Sequence, residues 1–105
     1  MPVHGATLSL IQDLDAHGIG GVVWDCGAAL AALLDRCPAL VQGRQVLDLG
    51  CGGSAIGGIA ASHCGAEAVT LTDISEVAPR TACAAWRGLS LKRCESVVAG
   101  ACRCR

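Results

Sequence analysis

The chain has 105 residues, 52% of them hydrophobic and only 16% charged, a balance that suits one small packed domain and excludes a disordered or low-complexity chain. The formal net charge of −1 excludes the strongly basic surface of an electrostatic nucleic-acid binder. Arg87, Lys92, Arg93, Arg103 and Arg105 do gather against the single acid Glu95, but without aromatic interleaving they read as a solvated basic tail, and no nucleic-acid partner is expected.

With no Phe and no Tyr, the core must be built from Leu, Val, Ile, Ala and two Trp. The eight cysteines (26, 37, 51, 64, 83, 94, 102 and 104) contain no Cys-x-x-Cys pair, and Cys102-Arg103-Cys104 has no second half to close a zinc site. Most therefore read as small buried hydrophobes, with no metal site expected. The N-terminus Met1-Pro2-Val3-His4-Gly5 lacks a secretory pattern, and no apolar run reaches the ~20 residues of a membrane span. A reduced compartment, cytoplasmic or nuclear, and no membrane contact are the resulting expectations.

Residues 1–17 are ambiguous: Leu8, Ile11 and Leu14 fit a helix face, while Thr7-Leu8-Ser9-Leu10 alternates like a strand. His17-Gly18-Ile19-Gly20-Gly21 reads as a flexible break. A helix then starts at Asp25 as N-cap, carries an apolar stripe of Cys26, Leu30, Leu33, Leu34 and Cys37, and stops at Pro38. The run Gln45–Leu49 is predicted as a strand. It breaks into Gly50-Cys51-Gly52-Gly53-Ser54, and the helical run Ala55–Cys64 follows with Ile56, Ile59, Ala60 and Cys64 inward and Gly65 as its stop. Gly57 and Gly58 would let its first turn lie close against the strand. Ala68–Thr72 is a second strand ending at Asp73, Ser75–Leu89 a second crossover helix, and Glu95–Ala99 a third strand. Alternating helices and strands predict an α/β domain with a parallel sheet.

The glycine turn is the chemical centre of the sequence. A turn between a strand and a helix N-terminus brings backbone close to a ligand, and the ends of adjacent parallel strands share one crevice. Asp48 and Asp73 therefore frame a common site. Three readings remain open on these residues. Gly50-Cys51-Gly52-Gly53-Ser54-Ala55 satisfies a dinucleotide fingerprint with Asp73 near the ribose position, although Asp48 would add negative charge beside a pyrophosphate. An S-adenosylmethionine site, with sulfonium, ammonium, carboxylate and ribose, gives both acids a role and lets the loop N–H groups meet the carboxylate. A purely structural turn, with Asp73 capping a helix and Glu76 at the capping-box position, needs the pattern to be accidental.

Val46-Leu47-Asp48-Leu49-Gly50-Cys51-Gly52 resembles motif I of the seven-β-strand, class I S-adenosylmethionine-dependent methyltransferases. Gly21-Val22-Val23-Trp24-Asp25-Cys26-Gly27-Ala28-Ala29-Leu30-Ala31 looks like the Trp-Asp helix of the methyltransferase-like protein lysine methyltransferase group, and Cys64–Asp73 is similar to that group's second strand. The likeness runs from Gly20 to Arg87. It implies a Rossmann-like fold, S-adenosylmethionine as cofactor, and methylation of protein side chains, mostly lysine and less often arginine.

Carried over by position, the resemblance implies that Gly50, Gly52 and Ser54 line the methionine moiety. Asp48 would orient the loop, Asp73 would hold the ribose hydroxyls, and Trp24 would border the pocket. No catalytic residue is assigned. Gly53-Ser54 departs from the Thr-Gly of many members. The family sheet has seven strands, whereas this chain offers about three. The expected organisation is thus an N-terminal segment (1–21), a partial Rossmann-like domain (22–99) and a basic Cys/Arg tail (100–105). The expected function is that of a cofactor-binding half with an open sheet edge available to a partner or a second copy. A non-enzymatic binding or interaction module and an NAD-type domain are the alternatives.

Overall fold

A computed structural model describes residues 1–10, 12–74, 94–98 and 101–104. Its first element is a short hairpin, β1 (Pro2–Val3) paired antiparallel with β2 (Ala6–Thr7). The N-terminal ammonium donates to the Leu8 carbonyl at 2.8 Å, and the His4 amide donates to the Asp35 carboxylate. Val3 and Leu8 are buried in the same core as the helices that follow. The N-terminal segment is thus packed into the domain. Helix α1 (Leu14–His17) leads into a 3-10 turn over Gly18–Gly21.

Helix α2 runs over Asp25–Arg36. Its N-cap is Trp24, with extended backbone and no side-chain capping bond, one residue earlier than expected. Asp25 instead occupies the first turn, where its charge still favours the positive end of the helix. The buried face also differs from the expected stripe. Ala31 and Leu34 are buried, whereas Leu30 and Leu33 are about half exposed and Cys26 and Cys37 are exposed. The reason lies at Gly27: a Cβ there would stand 2.7 Å from Ile56 Cγ2. The helix therefore brings Gly27 close against α3, with Leu30 reaching Gly57 beside it, while Leu34 keeps its expected place in the core. Pro38 opens a 3-10 turn (Pro38–Leu40) immediately after the helix, as its fixed φ and missing donor require.

Strand β3 (Gln45–Leu49), helix α3 (Ile56–His63) and strand β4 (Ala68–Thr72) follow. The strands pair parallel, from Gln45↔Ala68 to Leu49↔Thr72. Ile56, Ile59, Ala60 and Cys64 are all buried, and Gly65 takes a left-handed φ of +88° at the helix stop. Gly58 sets how closely α3 lies on the sheet: a Cβ there would fall 2.2 Å from Leu71 Cδ2 and 3.2 Å from Val69 Cγ1. Leu71 and Val69 of β4 belong to the fully buried core.

The third strand departs from the all-parallel expectation. Strand β5 (Cys94–Val98) forms an antiparallel pair with β6 (Ala101–Cys104), and β6, not β5, lies antiparallel beside β4. The sheet order is β3-β4-β6-β5. Residues read as a tail thus supply the strand next to β4. Only two residues separate β5 from β6, a length that suits a hairpin and is too short for a parallel crossover. The fold is mixed α/β, with one parallel β-α-β unit at its centre. The expected crossover helix Ser75–Leu89 lies outside the described residues.

Gly18–Arg36 spans 19 residues at a mean hydropathy of 1.4, longer than the apolar runs counted from the sequence. Its continuous α-helical part is Asp25–Arg36, about 18 Å at 1.5 Å per residue against a ~30 Å bilayer core. Ala31 and Leu34 on that part pack into the core.

Candidate functional site

The glycine turn leaves β3 and reverses through left-handed backbone at Gly50 (φ +69°), Gly52 (φ +67°) and Ala55 (φ +46°). Glycine takes such angles without a steric penalty, while Ala55 must be held there by its surroundings. It is fully buried, and its carbonyl accepts the Ile59 amide of α3 at 2.9 Å.

Three separate acceptors fix the turn. The Cys51 amide donates to the Thr72 carbonyl at 2.9 Å, the Gly52 amide to Asp73 Oδ2 at 2.7 Å, and the Gly53 amide to the Gly20 carbonyl at 2.8 Å. The Thr72 hydroxyl also donates to the Asp48 carbonyl at 3.0 Å, tying the two strand ends together.

The two carboxylates sit differently. Asp48 is half-buried on the α3 side of β3, where Oδ2 accepts the Gly58 amide at 2.8 Å. Burial pushes its pKa above the ordinary carboxylate value; the Gly58 N–H opposes that, and the negative charge of Asp73 adds to the rise. Asp73 accepts from two backbone amides, Gly52 at Oδ2 and its neighbour Ile74 at Oδ1, both at 2.7 Å. A carboxylate has further lone pairs, so it can still accept from a ligand.

These groups open on one cavity of about 540 Å³, within the range of small-molecule sites. Trp24, Asp48, Gly50, Gly52, Ser54 and Asp73 all line it. The structure thus brings together all six residues singled out in the sequence. Trp24 is 57% exposed, and its indole N–H donates to the Ile19 carbonyl at 3.3 Å.

Sequence reasoning missed the opposite wall. Gly18, Ile19 and Gly20, read as a flexible break, line the cavity too. A Cβ on Gly52 would stand 3.2 Å from the Gly20 carbonyl oxygen, so the two glycine-rich segments meet backbone to backbone. Three glycines within four residues were the available signal. Val22, Cys26, Leu30 and Ile74 are among the further lining residues that were not singled out.

Electrostatically the cavity is one-sided. Among the described residues, Asp48 and Asp73 are its only charged side chains, and no Lys, Arg or His lines it. Nor do the described residues gather three metal-ligating side chains anywhere. Such a site can take up a cation or a donor-rich, phosphate-free ligand, and it repels an anion.

No curated protein matches the chain. A family model described as lysine methyltransferase matches residues 3–83, from the N-terminal hairpin through the glycine turn and past Asp73. The chain belongs to the lysine methyltransferase family, and by that membership it is an S-adenosylmethionine-dependent methyltransferase.

Proposed function

We propose that the cavity between the glycine turn, the Gly18–Gly21 segment and α2 binds S-adenosylmethionine, for methyl transfer to a lysine side chain of a protein substrate. The observation that carries this reading is the pairing of two carboxylates, with no basic residue among the described residues, in a cavity of about 540 Å³. S-Adenosylmethionine is cationic at sulfur and nitrogen, carries no phosphate, and offers ribose hydroxyls as donors. When bound it supplies an activated methyl group.

The same facts argue against a dinucleotide. A pyrophosphate would face Asp48 and Asp73 with no counter-charge among the described residues, and the amides of Cys51, Gly52 and Gly53 that might cradle it already donate to protein acceptors. The commitment of these amides also narrows the expected role of the loop. Gly50, Gly52 and Ser54 would serve by permitting close approach to the methionine moiety. Asp73 would accept the ribose hydroxyls, Asp48 would hold the loop and face the cationic end, and Trp24 would wall the mouth.

A second reading, an interaction module, draws on β3. Among the described strands it is the outer strand of its sheet, and Leu47 and Leu49 on it are 58% and 75% exposed. An edge of this kind invites strand pairing. Incubation of the chain with methyl-labelled cofactor and a cell extract, followed by hydrolysis and amino-acid analysis, tests the enzymatic reading. Label recovered as methyl-lysine is the expected result. Label confined to another residue type would contradict the lysine assignment.

A further inference from the structure

We infer that Asp73 is also the positioning residue of the glycine turn, holding Gly52 in its left-handed conformation whether or not a ligand is bound. The inference takes its ligand from the cofactor reading above; its geometry does not depend on that reading. Gly52 sits at φ +67° with its Cα side against the Gly20 carbonyl, so its peptide needs a fixed partner to stay oriented. Asp73 Oδ2 is that partner at 2.7 Å, and Oδ1 is braced by the Ile74 amide at the same distance. A charged acceptor shared between two backbone amides is among the stronger side-chain tethers a loop can have. The cofactor loop is therefore preorganised by the residue that would also accept the ribose hydroxyls through its remaining lone pairs.

Amide hydrogen exchange on the ligand-free full chain is the direct test. In Asp73→Ala the Gly52 amide should exchange about tenfold faster or more, the effect of losing one net hydrogen bond to a charged group. The Gly58 amide, held by Asp48, and the Cys51 amide, held by the Thr72 carbonyl, should keep wild-type rates. Unchanged exchange at Gly52 overturns the inference. If all three amides speed up together, Asp73→Asn decides. It keeps the volume but turns one acceptor into a donor; selective acceleration at Gly52 or Ile74 supports the role, and wild-type protection at both overturns it.

Ligand binding gives a second readout, using S-adenosylhomocysteine and its analogue lacking both ribose hydroxyls. A residue acting on ribose alone would leave the analogue bound equally by wild type and Asp73→Ala, against the inference. A positioning residue makes the analogue bind about tenfold more weakly to the variant. If wild type binds neither compound, the cofactor reading falls, while the exchange result still judges the tether.

Discussion

At Asp48 a carboxylate is kept partly out of water near the negative charge of Asp73, and the Gly58 amide donates to it in compensation. Its raised pKa means that the folded chain binds the proton more tightly than the unfolded chain. Stability from this site is therefore fullest in acid and is lost as pH rises through the raised pKa. Asp48→Asn should accordingly raise the melting temperature at pH 7 and flatten its decline above the ordinary carboxylate range. It should also weaken S-adenosylmethionine more than S-adenosylhomocysteine, which lacks the sulfonium charge, a trade of stability for function seen at many sites. Thermal melts across pH 4–8 check the first part; a lower melting temperature at neutral pH would contradict it. The two turn glycines should also separate. Gly50→Ala meets nothing within 4 Å and incurs only left-handed strain, about 1–2 kcal/mol. Gly52→Ala adds the approach to the Gly20 carbonyl at 3.2 Å, so chemical denaturation should find it the more destabilised of the pair.

Among the elements, the α3–β4 contact fixes where the site sits. Gly58→Ala would drive a methyl group to 2.2 Å from Leu71 Cδ2, and overpacking of this kind costs about 1–3 kcal/mol, more than the helix-propensity gain of about 1 kcal/mol. Gly57→Ala, whose nearest contacts are at 3.2 Å, should cost less; equal midpoints in urea for the two variants would count against this packing. Gly57 and Gly58 were readable in sequence because two glycines in a short helix need a reason, and close approach is the commonest one. Strands β3 and β4 were readable for a similar reason: each is a short β-rich run ending in an acid. The start of α2 was misplaced by one residue because Asp25 has the composition of an N-cap, whereas the cap is defined by the extended backbone at Trp24. Its buried face was read correctly at Leu34 and missed at Ala31, because periodicity ranks large apolar residues first, and here the close approach is made at Gly27. The antiparallel β5–β6 pair was missed because alternation marks a strand without naming its partner, and because the Cys/Arg composition of residues 101–104 reads as a tail and not as a strand.

For the molecule as a whole, the site is assembled from distant parts of the chain: the Gly18–Gly21 segment, the start of α2, the glycine turn and the end of β4. The acids and turn glycines were legible because their chemistry is local. The Gly20 wall was not, since its contact with Gly53 joins segments more than thirty residues apart. The N-terminal hairpin supports this assembly, with Val3 fully buried and Leu8 at 4% exposure. Deleting residues 1–8 would expose the surfaces those two side chains cover, at about 1.5–3 kcal/mol each. That is a large share of the ~5–15 kcal/mol that stabilises a domain. The deleted chain should lose its cooperative unfolding transition by circular dichroism; an unchanged transition would show that the hairpin is dispensable. The central claim is that a cavity with two acids and, among the described residues, no basic side chain belongs to a cationic, phosphate-free cofactor. Calorimetric titration of the chain with S-adenosylmethionine, S-adenosylhomocysteine and NAD tests it most directly. Saturable binding of both sulfur compounds with no heat from NAD is the predicted result, and binding of NAD alone would contradict it.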